Sequence, residues 1–195
     1  MSAAASGSFG AVVLAAGHSI RMHRDKALLE CNGRLMWQRQ RDLLAQAGAT
    51  EVLLSARPGQ AWAETAEGFA AVVHDASPDA GPLGGITAAL EHGQQGHLAV
   101  LAVDLPRMEP GWFKALLADC APGIGVIGRT GRFFEPLASV YPRELLPLAQ
   151  AALERRELSL QKLLATGVAQ GLLRVREISP GEIPLFANWN EPGGI

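Results

Sequence analysis

Cysteine is scarce in this 195-residue chain: Cys31 and Cys120 form no CxxC spacing, and no histidine stands at metal-site intervals from them. That pattern argues against a disulfide framework or a zinc site and reads both thiols as structural or incidental. An excess of charge of one sign is also missing. With 17 Lys and Arg against 19 Asp and Glu, the net charge is -2 and the pI about 6.2. No global basic field exists to hold nucleic acid or an anionic membrane surface, so any polyanion must be bound locally. No apolar run approaches the ~18 residues of a membrane span. The opening Met1–Ser8 lacks the basic start and apolar stretch of a secretory signal. Residues 1–8 are therefore expected to be a disordered tail on a cytoplasmic protein.

What is present points to one domain over residues 9–195, large enough to bury a core without staples. The 48% hydrophobic and 18% charged content, with mean hydropathy +0.13, exclude a disordered chain. Short continuous apolar runs recur at 9–15, 51–56, 70–74, 97–103 and 123–128, as strands buried on both faces do. Helix-like stretches separate most of them. Met36, Leu43, Leu44 and Ala47 share a face up to a stop at Gly48, Leu83 to Leu90 runs toward Gly93, and Pro110 opens a helix through Leu117. This alternation predicts an α/β fold, a three-layer α/β/α Rossmann-like arrangement with a mostly parallel sheet. After Pro136 the pattern changes to a strand over 137–141, a Pro-interrupted helical stretch to Leu153, and a segment through Leu164 capped by Ser159. These read as a small appended C-terminal lobe.

Ligands of open α/β sheets bind beyond the carboxyl ends of the strands, so the residues after each apolar run carry the chemistry. After the first comes LAAGHSIRMHRDK, in which small residues let backbone N–H groups approach an anion while Arg21, Arg24 and Lys26 place three cations within six positions. A triphosphate suits it. The loop lacks both the GK[ST] of a Walker A and the G-x-G-x-x-G of a dinucleotide site. The competing reading is a turn followed by a solvated charge cluster. Asp75, after the third run, precedes DAGPLGGI, whose Gly81, Gly84 and Gly85 around Pro82 suit a rigid turn approached by a base or ribose; an ordinary helix start is the alternative. Asp104 ends the fourth run, where an unpaired carboxylate would be costly. Magnesium, which needs only one or two protein carboxylates, would satisfy it, as would a helix cap or a salt bridge.

Taken in order, LAAGHSIRMHRDKALL, DAGPLGGI, AVDLP, FEPLASVY and FANWNEP resemble the molybdenum cofactor guanylyltransferase (MobA) family over nearly the whole chain. The family's own landmarks are LAGGxSxRMGxDK, GPLxGI, D-x-P, P-L-x-x-x-Y and F-x-N-x-N-x-P. The resemblance implies a nucleotidyltransferase fold and the transfer of GMP from GTP to the terminal phosphate of molybdopterin. It also implies that Leu14, Ala15, Ala16, Gly17, Arg21 and Lys26 hold triphosphate and base, that Asp75 and Gly81 contact nucleotide, and that Asp104 binds Mg²⁺. Ser55 stands where the family commonly has an asparagine near the nucleotide, and Asn188 and Asn190 match the acceptor-side asparagines. Arg21, Lys26 and Asp104 are the expected catalytic residues. Two departures stand out: Ala16 replaces a glycine, as in related cytidylyltransferases, and His23 replaces the glycine after Met22. Cytidylyl transfer to a related phosphorylated acceptor, or a non-catalytic nucleotide-binding carrier, are the alternatives. A molybdoenzyme or cofactor-delivery protein is a further expected partner, and a monomer is the expected form. His18, His74, His92 and His97 are scattered and are given no catalytic role.

Overall fold

The computed structural model describes residues 8–17, 25–75 and 79–189. A seven-stranded sheet forms its middle layer. In chain order its strands are β1 (Gly10–Leu14), β4 (Glu51–Ser55), β5 (Ala71–Val73), β6 (His97–Ala102), β7 (Gly125–Thr130), β8 (Phe133–Pro142) and β9 (Leu173–Glu177). A two-stranded ribbon of β2 (Glu30–Cys31) and β3 (Arg34–Leu35) stands apart from them. The spatial order is β5-β4-β1-β6-β8-β7-β9, and pairing is parallel except where β8 meets β6 and β7.

Alternate residues of the central strands feed two cores, as the period-2 geometry of a strand dictates. Ala11, Val13, Leu54, Ala99 and Leu101 face the helices α1 (Met36–Ala47) and α4 (Pro110–Asp119). Val12, Leu53, Leu98 and Val100 face α3 (Pro82–His92), α5 (Leu146–Glu154) and α6 (Leu160–Ala169). A short α2 (Ala61–Glu64) adds Ala63 to the first core. Helices thus cover both faces, the three layers the sequence predicts. Ser159 caps α6 by accepting from the Lys162 amide, and Pro110 and Pro147 sit in the first turns of α4 and α5, where a missing N–H is harmless.

The C-terminal third, legible in the sequence as a lobe, is continuous with this sheet: β8 inserts between β6 and β7, and β9 forms the far edge. Strand β8 contains Pro136. Its tolerance is explained by the pairing, because β8 meets β7 at Glu135 and again at Val140, whereas on β7 only Ile127 lies between the partners. Residues 136–139 bulge, and their contacts turn inward: Tyr141 Oη donates to Pro136 O at 2.7 Å and Ser139 Oγ donates to Glu135 O at 2.7 Å.

Register brings the strand ends together. Leu14 pairs with both Ser55 and Ala102, and Ser55 pairs with Val73. The segments that follow β1, β4, β5 and β6 therefore leave the sheet side by side.

Candidate active site

A cavity of about 600 Å³ opens where these segments emerge. Of the residues singled out by sequence, Leu14, Ala15, Ala16, Gly17, Lys26, Ser55, Asp75, Gly81 and Asp104 all line it. Arg21, His23 and Asn190 lie outside the described residues. Asn188 is exposed and does not line the cavity. Its neighbour Trp189 is buried, and the Trp189 amide donates to the main-chain oxygen of Asp104 at 2.9 Å. The terminal motif thus reaches the site first as a backbone tie behind Asp104.

Lys26 and Asp104, 78 positions apart in sequence, meet in the cavity wall with Nζ 2.8 Å from Oδ2, each side chain 23% exposed. Lys26 opens a 3-10 turn, Lys26–Leu28, whose preceding residue Asp25 caps it by accepting from the Ala27 amide at 3.2 Å. The other Asp25 oxygen accepts from Gln60 Nε2 at 2.5 Å and Trp62 Nε1 at 2.8 Å, which fixes where the lysine starts. From the opposite side, α1 holds the segment after β6. Gln40 Nε2 donates to Leu105 O at 2.7 Å, and Arg39 Nε donates to Pro106 O at 2.9 Å. A salt bridge, one of the readings open for Asp104 in the sequence, is thus part of the structure.

Helix α3 begins at the cavity. Its N-cap Gly81 has φ +61° and ψ -147°, a region essentially reserved for glycine. Gly84 and Gly85 are required for space. A Cβ on Gly84 would lie 1.7 Å from Asp75 Oδ2, and one on Gly85 would lie 2.5 Å from Ser55 Oγ. The Asp75 carboxylate therefore sits against the first turn of α3, where the helix dipole favours negative charge. That end of α3 already serves a carboxylate, and Asp75 lines the cavity beside it. Ser55 is 1% exposed, and its Oγ has no hydrogen-bond partner among the described residues. A buried hydroxyl of this kind is costly unless a ligand or water supplies the bond.

Among the described residues no histidine lines the cavity. His74 Nδ1 lies 2.8 Å from Ala56 O, and His97 Nε2 lies 3.1 Å from the carbonyls of Ala121 and Ile124, both fold-holding contacts. Burial, with Asp119 adding to it, pushes the Cys120 thiol up to about 11, so it is a poor nucleophile. The described residues contain no cluster of three or more His, Cys, Asp or Glu able to enclose a metal. Asp104 lines the cavity together with Asp25, Asp75 and Asp79, and among the described residues no three of them group closely enough to enclose an ion. That fits a magnesium ion completing its shell with water and substrate oxygens, and does not fit a closed all-protein site. No helix among the described residues is long and apolar enough to cross a membrane.

Sequence reasoning missed Asp25, Arg57, Gln60 and Trp62. Arg57 and Gln60 follow β4, and the strand-end rule applied to the second apolar run would have reached them.

Residues 11–172 match the family described as MobA-like NTP transferase domain. The chain is similar to a probable molybdenum cofactor guanylyltransferase of Opitutus terrae, 42% identical over 98% of this chain and 95% of that protein. It is also similar to a molybdenum cofactor guanylyltransferase of Pseudomonas putida, 32% identical over 83% of this chain and 84% of that protein. Among solved structures, molybdopterin-guanine dinucleotide biosynthesis protein A of Archaeoglobus fulgidus superposes with a TM-score of 0.70 at 18% identity, over 94% of this chain and 93% of that one. A nucleotidyl transferase of Methanothermobacter gives 0.74 at 18% identity, over 94% and 92%. The match spans β1 to the last helix and includes every strand end that lines the cavity, and the chain belongs to the MobA-like NTP transferase family.

Proposed function

We propose that this protein is a guanylyltransferase that transfers GMP from GTP to the terminal phosphate of molybdopterin and releases pyrophosphate. The observation that carries the reading is the Lys26–Asp104 pair beside Ala15–Gly17. A cation suited to a triphosphate and a carboxylate suited to a metal, side by side in the wall of a single cavity, support this reading. The substrates follow from the relatives, whose names specify guanylyl transfer to the molybdenum cofactor.

In this reading an oxygen of the acceptor phosphate attacks the α-phosphorus of GTP. The bond from that phosphorus to the bridging oxygen breaks, and the electron pair leaves with pyrophosphate. A phosphate monoester is largely ionised near neutral pH, so no proton need be removed and no general base is required, in keeping with a cavity whose described lining holds no histidine. The chain contributes positioning and charge. Ala16 and Gly17 approach the phosphates by their backbone, Lys26 turns from Asp104 toward them, and Asp75 and Ser55 face the nucleoside. Asp104 would hold Mg²⁺, which when bound neutralises phosphate charge. The test is pyrophosphate release with GTP, CTP and ATP, each with and without molybdopterin and Mg²⁺. Release with GTP, dependent on acceptor and metal, is expected. A response to CTP alone would reassign the base, and nucleotide binding without release would make the protein a carrier.

A further inference from the structure

The turn Arg57-Pro58-Gly59-Gln60 sits directly beneath the loop that follows β1. Its geometry is fixed: the Gln60 amide donates to Arg57 O at 3.3 Å, proline occupies the second position, and Gly59 has φ +78°. The side chain of Gln60 locks it again, its Oε1 accepting from the Arg57 amide at 2.6 Å. From this base three successive carbonyls are held. Gln60 Nε2 donates to Ala15 O at 3.3 Å, and Arg57 Nη1 donates to Ala16 O at 2.9 Å and to Gly17 O at 2.7 Å.

A trans peptide points its C=O and the next N–H in opposite directions. Fixing the carbonyls of Ala15 and Ala16 against the turn therefore turns the amides of Ala16 and Gly17 away from it. Those two amides donate to none of the described residues, and both residues line the cavity. Successive N–H groups presented to one side form an anion-binding concavity. The loop has no Walker-type sequence to build that shape by itself, and the turn after β4 supplies the restraint from outside.

We infer that Arg57 is a positioning residue: it shapes the phosphate-binding loop by holding its carbonyls, so that the Ala16 and Gly17 amides are presented to the pyrophosphate portion of the nucleotide. The inference rests on the proposed role of this loop. Because one guanidinium nitrogen makes both contacts, a lysine ammonium can replace it, whereas an apolar side chain of similar length cannot.

The test compares Arg57→Met and Arg57→Lys with the wild type by calorimetric binding of GTP, inorganic pyrophosphate and guanosine. Backbone order parameters of Ala16 and Gly17 are measured in the ligand-free proteins. Arg57→Met is expected to weaken pyrophosphate and GTP about tenfold, to leave guanosine unchanged, and to lower both order parameters; Arg57→Lys should restore all of these to within about threefold of wild type. Undiminished pyrophosphate binding by Arg57→Met, or unchanged order parameters alongside weakened binding, would overturn the positioning role. A wild type that binds neither pyrophosphate nor GTP would overturn the loop reading itself, and the inference with it. If Arg57→Met does not fold, Arg57→Leu, which likewise has no donor, makes the same comparison.

Discussion

Replacing Asp104 by asparagine separates the chemistry of the cavity from its stability. The side chain keeps its size, and its remaining carbonyl oxygen can still accept from Lys26, 2.8 Å away. What disappears is one negative charge. Both partners are 23% exposed, so solvent screens their attraction and the ion pair contributes at most about 1 kcal/mol. For a domain of this size, that lowers the melting temperature by roughly 2–4 °C. The expected effect on transfer is much larger: loss of an electrostatic contact that acts on developing phosphate charge typically costs about 3–4 kcal/mol, or 10²–10³ in turnover. The assay is acceptor-dependent pyrophosphate release at saturating Mg²⁺, with a melt on the same preparation. Turnover near wild type would refute the assignment of Asp104, and a melting point more than about 10 °C lower would show that the residue serves the fold instead.

Further tests act on the neighbours of this pair. In the ligand-free protein Lys26 already occupies Asp104, so Mn²⁺ alone should bind weakly by calorimetry; Lys26→Met should tighten metal-only binding and weaken GTP, and weaker metal binding in the variant would contradict the competition. Ser55→Ala removes a buried hydroxyl with no described partner, so the melting temperature should hold or rise while GTP affinity falls by about 1 kcal/mol; a lower melting point with unchanged affinity would show that the hydroxyl serves the fold. Gly84→Ala, a change that inside a helix ordinarily stabilises by about 1 kcal/mol, should here destabilise by about 1–3 kcal/mol, because the new Cβ would lie 1.7 Å from Asp75 Oδ2. A raised melting point would show that Asp75 moves aside freely.

The parallel strands were legible because burial on both faces leaves continuous apolar runs: the runs at 9–15, 51–56 and 97–103 match β1, β4 and β6 to within a residue or two. Helix ends were legible where proline, glycine or a capping serine marked them. Strand β8 was readable only from Leu137 onward, since Pro136 reads as a breaker and its bulge exists only against β7. Strand β9, with arginines at 174 and 176 on the sheet edge, carries no buried run to detect. At the site, each strand-end residue was visible in isolation, and the register that aligns Leu14, Ser55, Val73 and Ala102 was not. The contacts of Arg57 with Ala16 and Gly17 span some 40 residues, and in one dimension that arginine looks like any cation after a strand.

The hydrogen bond from the Trp189 amide to Asp104 O has a bearing on how the protein is made. A ribosome delivers the glycine-bearing loop, Lys26 and Asp104 long before residue 189, and strands β7, β8 and β9 must take their places in between. The wall behind Asp104 is therefore seated late in synthesis, and a nascent chain already carrying Ala16, Gly17 and Lys26 lacks the backbone tie behind Asp104.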